Sequence, residues 1–306
     1  MISERWRLTA FLLLLGAGWG LTQPLIKITV TAGYQPFGLI FWQMLIGAVL
    51  LGLLRWRQLR RAPINARTLA VWLMIALIGS VIPNTTSFRA AFHLPSGIMS
   101  IVLATIPMMA FPIALALGND RFSVRRLCGL LLGLVGVGLI ALPDASLPER
   151  AMIAFLPLAL VAPFCYACEG NIVAKWGTAG LDPFAVLFGA SVIGTLISLP
   201  LAVGSGQFIV PRPPFILADF TMLLSSIIHV LVYSGYVWLI GRAGAVFAGQ
   251  VSYIVTGTGV LWAMTLLGES YSLWIWGALA FMGLGLMLVQ PRLAEPPVLG
   301  DTPAHG

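Results

Sequence analysis

Glu169 sits inside a long apolar run, Ala151 to Ala174, where a carboxylate finds little water to solvate it. If that run is helical, the 1.5 Å rise per residue places Glu169 about 9 Å from its middle. A charge at such depth costs about 2.5 to 3.5 kcal/mol on insertion scales, which makes it a candidate functional group. It is suited to bind a proton or a substrate amine; a structural ion pair or an acid snorkelling to the interface would explain it as well. His229 lies near the centre of another apolar run, with Tyr233 and Tyr236 one and two helical turns further on. An imidazole there can relay protons or simply bond to a neighbouring helix. Trp19, Gln23 and Lys27 recur every four residues and share one helix face, offering an aromatic wall, an amide and a cation. Lys27 is close enough to the end of its run to serve equally as an interfacial anchor. Gln250, Tyr253, Thr256 and Thr258 form a second polar stripe, which hydroxyl bonds between helices also explain. Asn84 follows Pro83 and is placed to meet backbone groups that the proline frees. The residues expected to contact substrate are therefore Trp19, Gln23, Asn84, Tyr166, Glu169, His229, Tyr233, Gln250 and Tyr253, with Glu169 and His229 as proton carriers.

Other chemistries fit less well. Cys165 and Cys168 form a CxxC pair, the spacing used in thiol redox proteins. A membrane oxidoreductase needs a second pair to pass electrons on, and only Cys128 remains. No G-x-S-x-G elbow accompanies the serines of LPSG or GSG, and His93, His229 and His305 make no two-histidine metal motif. The sequence thus points away from an enzyme and calls for no cofactor or metal. Asp120 and Glu269 fall at the ends of apolar runs and read as helix caps or gate-side charges.

The elements that must position these groups are membrane helices. A chain that is 59% hydrophobic and 9% charged cannot cover itself with polar surface, whereas a bundle facing lipid has no need to. Ten runs approach the roughly 20 residues a spanning helix requires: Leu8 to Ile28, Pro36 to Leu54, Thr68 to Phe88, Leu94 to Leu117, Leu127 to Leu142, Ala151 to Ala174, Pro183 to Gly204, Phe215 to Ile240, Ala245 to Leu267 and Ser272 to Gln290. Arginine marks alternate gaps: five between Arg55 and Arg67, three between Asn119 and Arg126. Thirteen of the 17 Lys and Arg residues fall on that one side, so the pI of about 9.8 is topogenic and nucleic acid is not expected as a partner. The positive-inside rule places both termini in the cytoplasm. Gly16, Ala17 and Gly18 suggest a signal peptide, but Trp19 and Pro24 continue the run without a clear cleavage site, so it stays a helix. Residues 291–306, rich in proline, read as a disordered cytoplasmic tail.

Two halves, residues 8–142 and 151–290, carry the same punctuation at an offset near 148 residues. Lys27, Ala32, Gly33, Pro36 and Phe37 are answered by Lys175, Ala179, Gly180, Pro183 and Phe184. The run GNDRFSVRRLCGLLLGLVGVGL is answered by LGESYSLWIWGALAFMGLGLML, whose glycines suit close helix packing. Each half holds five spans, an odd number, so the second must sit upside down relative to the first, the architecture of many secondary carriers. GAGWGLTQPLIK, the Ala90 and Ala91 pair before LPSGIMSIVLATIP, and the acid preceding a Gly-rich helix at the end of each half resemble the drug/metabolite transporter superfamily, EamA type. The resemblance runs from about Phe11 to Gln290. It implies an all-α integral membrane protein of ten transmembrane helices in two inverted five-helix repeats, the first, third, fourth, sixth, eighth and ninth lining a central cavity. It also implies a secondary transporter that exports amino acids, other small polar or amphipathic metabolites, or drugs. Proton coupling, uncoupled exchange and facilitation all stay open. Such a bundle closes its cavity without a partner, so a monomer suffices and the lipid bilayer is its surroundings. Asp120 departs from the family's glutamate, and Thr256 stands where the first half has Pro107, a difference expected to alter a helix bend.

Overall fold

The computed structural model describes residues 4–59, 64–143, 147–243 and 250–289, and these form ten apolar helices without a strand. They are α1 (Glu4–Thr31), α2 (Pro36–Leu59), α3 (Ala66–His93), α4 (Ser96–Leu117), α5 (Val124–Ala141), α6 (Arg150–Trp176), α7 (Pro183–Gly204), α8 (Leu217–Ala243), α9 (Val251–Leu267) and α10 (Leu273–Val289). Eight are long and apolar enough to cross a membrane; α9 and α10, at 17 residues each, reach only the lower end of the spanning range. The seventh expected span matches to the residue. The expected tail, residues 291–306, and the expected start of the ninth span, residues 245–249, lie outside the described residues.

The repeated punctuation has a repeated cause. Pro36 and Pro183 open α2 and α7, where a missing N–H costs nothing, and the Asp182 carboxylate accepts from Phe184 N and Ala185 N at 2.9 and 3.2 Å. Gly118 and Gly268 end α4 and α9 in the left-handed region, φ 72° and 66°, which glycine enters without a Cβ penalty. α4 is broken at Ala104–Thr105, where Pro107 has no N–H to offer the carbonyl of Leu103 and its ring crowds that carbonyl. Thr256, its counterpart, leaves α9 unbroken and donates its hydroxyl to Ser252 O at 3.0 Å.

Packing follows a pseudo-twofold. α1 lies against α8 and α9; α6 lies against α3 and α4. α2 packs on α7 and α8, and α7 on α2 and α3, while α5 pairs with α10 and α4 with α9. The directions are opposed between the halves. α1 runs parallel to α9, since Gly16 meets Ile254 and Gly20 meets Thr258. α6 runs parallel to α4, since Asn171 donates to Ala110 O and Lys175 to Leu117 O. The end of α9 meets the start of α4, so α1 and α6 are antiparallel. The largest core, around Ile40, Leu94, Ile98, Met108, Ile140 and Met282, joins both halves. Gly129 and Gly285 mark the tightest crossing: a Cβ on either would lie 2.7 or 2.6 Å from the other's carbonyl oxygen. Gly133 and Gly136 likewise face Met108 and Met282, whereas Gly138 and Gly283 meet no other helix and contribute nothing to close packing.

Candidate functional site

The site begins with a defect in α3. Pro83 lacks an N–H and its ring crowds the carbonyl of Gly79 four residues earlier. The helix accommodates this by widening into a π turn over Leu77–Val81. Glu169 of α6 takes the space over that turn, its carboxylate lying where any side chain on Gly79 would be: an added Cβ would sit 2.7 to 2.8 Å from the carboxylate atoms. Among the described residues Glu169 forms no hydrogen bond and no ion pair, and it is only half-buried. A turn before it on α6, Tyr166 Oη donates to Asn84 Oδ1 at 3.4 Å, and Asn84 Nδ2 donates to Gln43 Oε1 at 3.3 Å. Three helices, α6, α3 and α2, are thereby linked by polar side chains at one level.

Across from this group, α1 and α8 bring rings together. Trp19 meets His229, Tyr233 and Tyr236 edge-on, with centroids 6.1, 6.0 and 5.8 Å apart. The geometry suits the positive edge of one ring against the negative face of another. Tyr233 meets Trp19 and lines one cavity with Gln43, the partner of Asn84, so it belongs to both groups.

Trp19, Asn84, Tyr166, Glu169, His229 and Tyr233 are thus assembled from four helices. Gln23 is half-buried and has no hydrogen-bond partner among the described residues. Gln250 is exposed at the start of α9, and Tyr253 packs against the large apolar core. Gln43, Ser80 and Ser191 were not among the expected residues although they stand beside this group. Gln43 carried a signal, as an amide within the otherwise apolar run Pro36 to Leu54.

The remaining charged candidates work at the ends of the bundle. Lys27 donates to the carbonyls of Ala91, Phe92 and Leu94 at 2.8, 2.9 and 3.0 Å, where α3 ends. Glu269 accepts from Ser96 N and Gly97 N at 2.7 and 3.2 Å, where α4 begins. A cation at a helix C-terminus and an anion at the next N-terminus both complement the helix dipoles. Tyr271 Oη also donates to Glu269, and burial together with that carboxylate pushes the Tyr271 phenol well above its ordinary range. At the arginine-rich end Asp120 pairs with the buried Arg126. The family match is to a description that names transport: the model of the EamA-like transporter family fits residues 7–142 and again 154–290.

The chain belongs to the EamA-like transporter family. Its two EamA-like repeats coincide with the two antiparallel halves, so the protein is a duplicated, multi-pass membrane transporter. Among curated proteins none matches the sequence. A crystal structure of a protein 19% identical in sequence shares the EamA-like fold with a TM-score of 0.58, covering 94% of this chain and 98% of that one.

Proposed function

We propose that this EamA-like protein is a secondary transporter that exports small, amine-bearing amphipathic metabolites or drugs in exchange for protons, from a bacterial inner membrane with both termini cytoplasmic. The observation that carries the reading is Glu169: a carboxylate at membrane depth, seated over Gly79, which has no side chain, and without a protein partner among the described residues. Charge in such a place is expensive, and a counter-ion from outside the protein relieves the cost. An ammonium and a proton are alternative occupants of one carboxylate, and their mutual exclusion is what couples one flux to the other. The rings of Trp19, Tyr233 and Tyr236 offer the apolar portion of the cargo a contact that also favours positive charge.

The packing supports alternating access. α1 closes on the second part of α3 and the start of α4 at the Lys27 end. The arginine-rich face, with thirteen of 17 basic residues, is the cytoplasmic one in this reading. Proteoliposomes with an imposed pH gradient test the reading. Amine flux should follow the gradient in the wild type and lose that dependence in Glu169→Gln; unchanged flux and unchanged pH dependence in the variant would exclude a coupling role and leave an uncoupled facilitator.

A further inference from the structure

Beside Glu169 lies a second, uncharged subsite. A cavity of about 30 Å³ opens between α2, α7, α8 and the π turn of α3; its lining is mostly apolar, and Gln43, Ser80, Ser191, His229 and Tyr233 supply its polar groups. That volume holds a water or a small polar head. Gln43 has its oxygen engaged by Asn84, which leaves its amide N–H groups free. Neither hydroxyl of Ser80 or Ser191 nor the ring of His229 has a hydrogen-bond partner among the described residues. Ser191 is 94% buried, with a residual exposure of 6%. Several unpaired polar groups thus converge on one space, where a group from outside can bond them. No lysine or arginine is among the lining residues. Gly79 lies under the carboxylate and Ser80 walls the cavity, and consecutive Cα atoms are about 3.8 Å apart. Tyr233 lines the cavity and meets Trp19 as well.

We propose that the cargo is an amine bearing an uncharged hydrogen-bonding head, a hydroxyl or carboxamide a short spacer from the nitrogen, and that this cavity receives the head. A zwitterionic amino acid fits poorly, since its carboxylate would enter a space without a counter-cation and next to Glu169. The inference rests on the reading of Glu169 as the amine site, and it narrows that reading from amines in general to amino alcohols and amino amides.

Four probes of one skeleton separate the cases: phenethylamine, phenylalaninol, phenylalaninamide and phenylalanine, with binding to the full-length protein in lipid measured by competition or thermal shift. Phenylalaninol and phenylalaninamide should bind about fivefold to tenfold tighter than phenethylamine, the equivalent of about one neutral hydrogen bond. Phenylalanine should bind weakest of the four. Ser191→Ala should bring the ratio of phenylalaninol to phenethylamine toward one, and Ser80→Ala reports on the same ratio from α3, so a folding defect in one variant leaves the other to decide. Equal binding of phenylalaninol and phenethylamine, tightest binding of phenylalanine, a ratio unmoved by both serine variants, or no binding by any probe would each overturn the proposal. Glu169→Gln distinguishes the two readings. If it binds all amines as the wild type does while the head-group ratio persists, the amine site lies elsewhere and the polar cavity stands.

Discussion

The contact of α1 with α8 and the contact of α6 with α3 hold equivalent places in the two repeats, yet one is built of rings and the other of a carboxylate and amides. At the repeat offset Trp19 answers to Ala167 and Glu169 to Leu21. A duplicated scaffold supplies two symmetric walls, and divergence of a few side chains has made them chemically unlike. The gain is orientation. A site with twofold-equivalent walls binds an elongated ligand in two reversed poses, whereas acid on one wall and aromatics on the other favour a single pose for a molecule with a cationic and an apolar end. The scaffold itself remained symmetric where chemistry is not at stake, as the Gly118 and Gly268 caps and the Lys27 and Lys175 helix-end contacts show.

That contrast can be broken from the acidic side first. Glu169→Gln removes the charge while keeping the shape, and amine binding should fall at least tenfold, with the residual binding no longer weakened by acidic pH; equilibrium binding across a pH series checks this. Gly79→Ala comes next. Its Cβ would meet the carboxylate at 2.7 to 2.8 Å, so Glu169 must leave its seat and amine flux should drop several-fold with helicity unchanged by circular dichroism. On the aromatic side Trp19→Leu keeps an apolar wall and loses the ring, which should weaken cargo by about 1 kcal/mol, or about fivefold, in the same binding assay. If Trp19→Leu were the more damaging of the two walls, the ordering drawn here would be reversed. The smallest effect belongs to the bundle end: Glu269→Gln weakens the cap of α4 and should lower stability by about 1 kcal/mol in thermal unfolding, with affinity for cargo retained.

The helices were legible because hydrocarbon demands long apolar runs, and prolines, glycines and acids mark their ends. The duplication was legible for the same reason, since Lys27, Gly33 and Pro36 serve the same turn as Lys175, Gly180 and Pro183. Pro107 against Thr256 was enough to foresee that α4 and α9 would bend differently. Depth singled out Glu169 and His229, but depth along a helix says nothing of facing direction. Gln250 therefore looked equivalent to Gln23 until the fold left it exposed. Lys27 read as part of a cavity row or as an anchor, and its hydrogen bonds to three carbonyls at the end of α3 were not foreseeable from spacing. Ser80 and Ser191 are small polar residues of a kind common inside membrane helices, and only the convergence of four helices makes them neighbours.

The π turn at Leu77–Val81 gives α3 a further property. It holds one residue more than an ordinary helical turn, and that residue is absorbed in the widened turn, so the helix on either side keeps one register. Losing one residue of the five would close it to an ordinary helical turn, leaving Asn84 in register with Gln43 and Tyr166 but removing the widened backbone on which Glu169 rests. The stretch is thus held in length by the seat it makes for Glu169 and in spelling at Gly79, where any side chain would meet the carboxylate, and at Ser80, which lines the cavity.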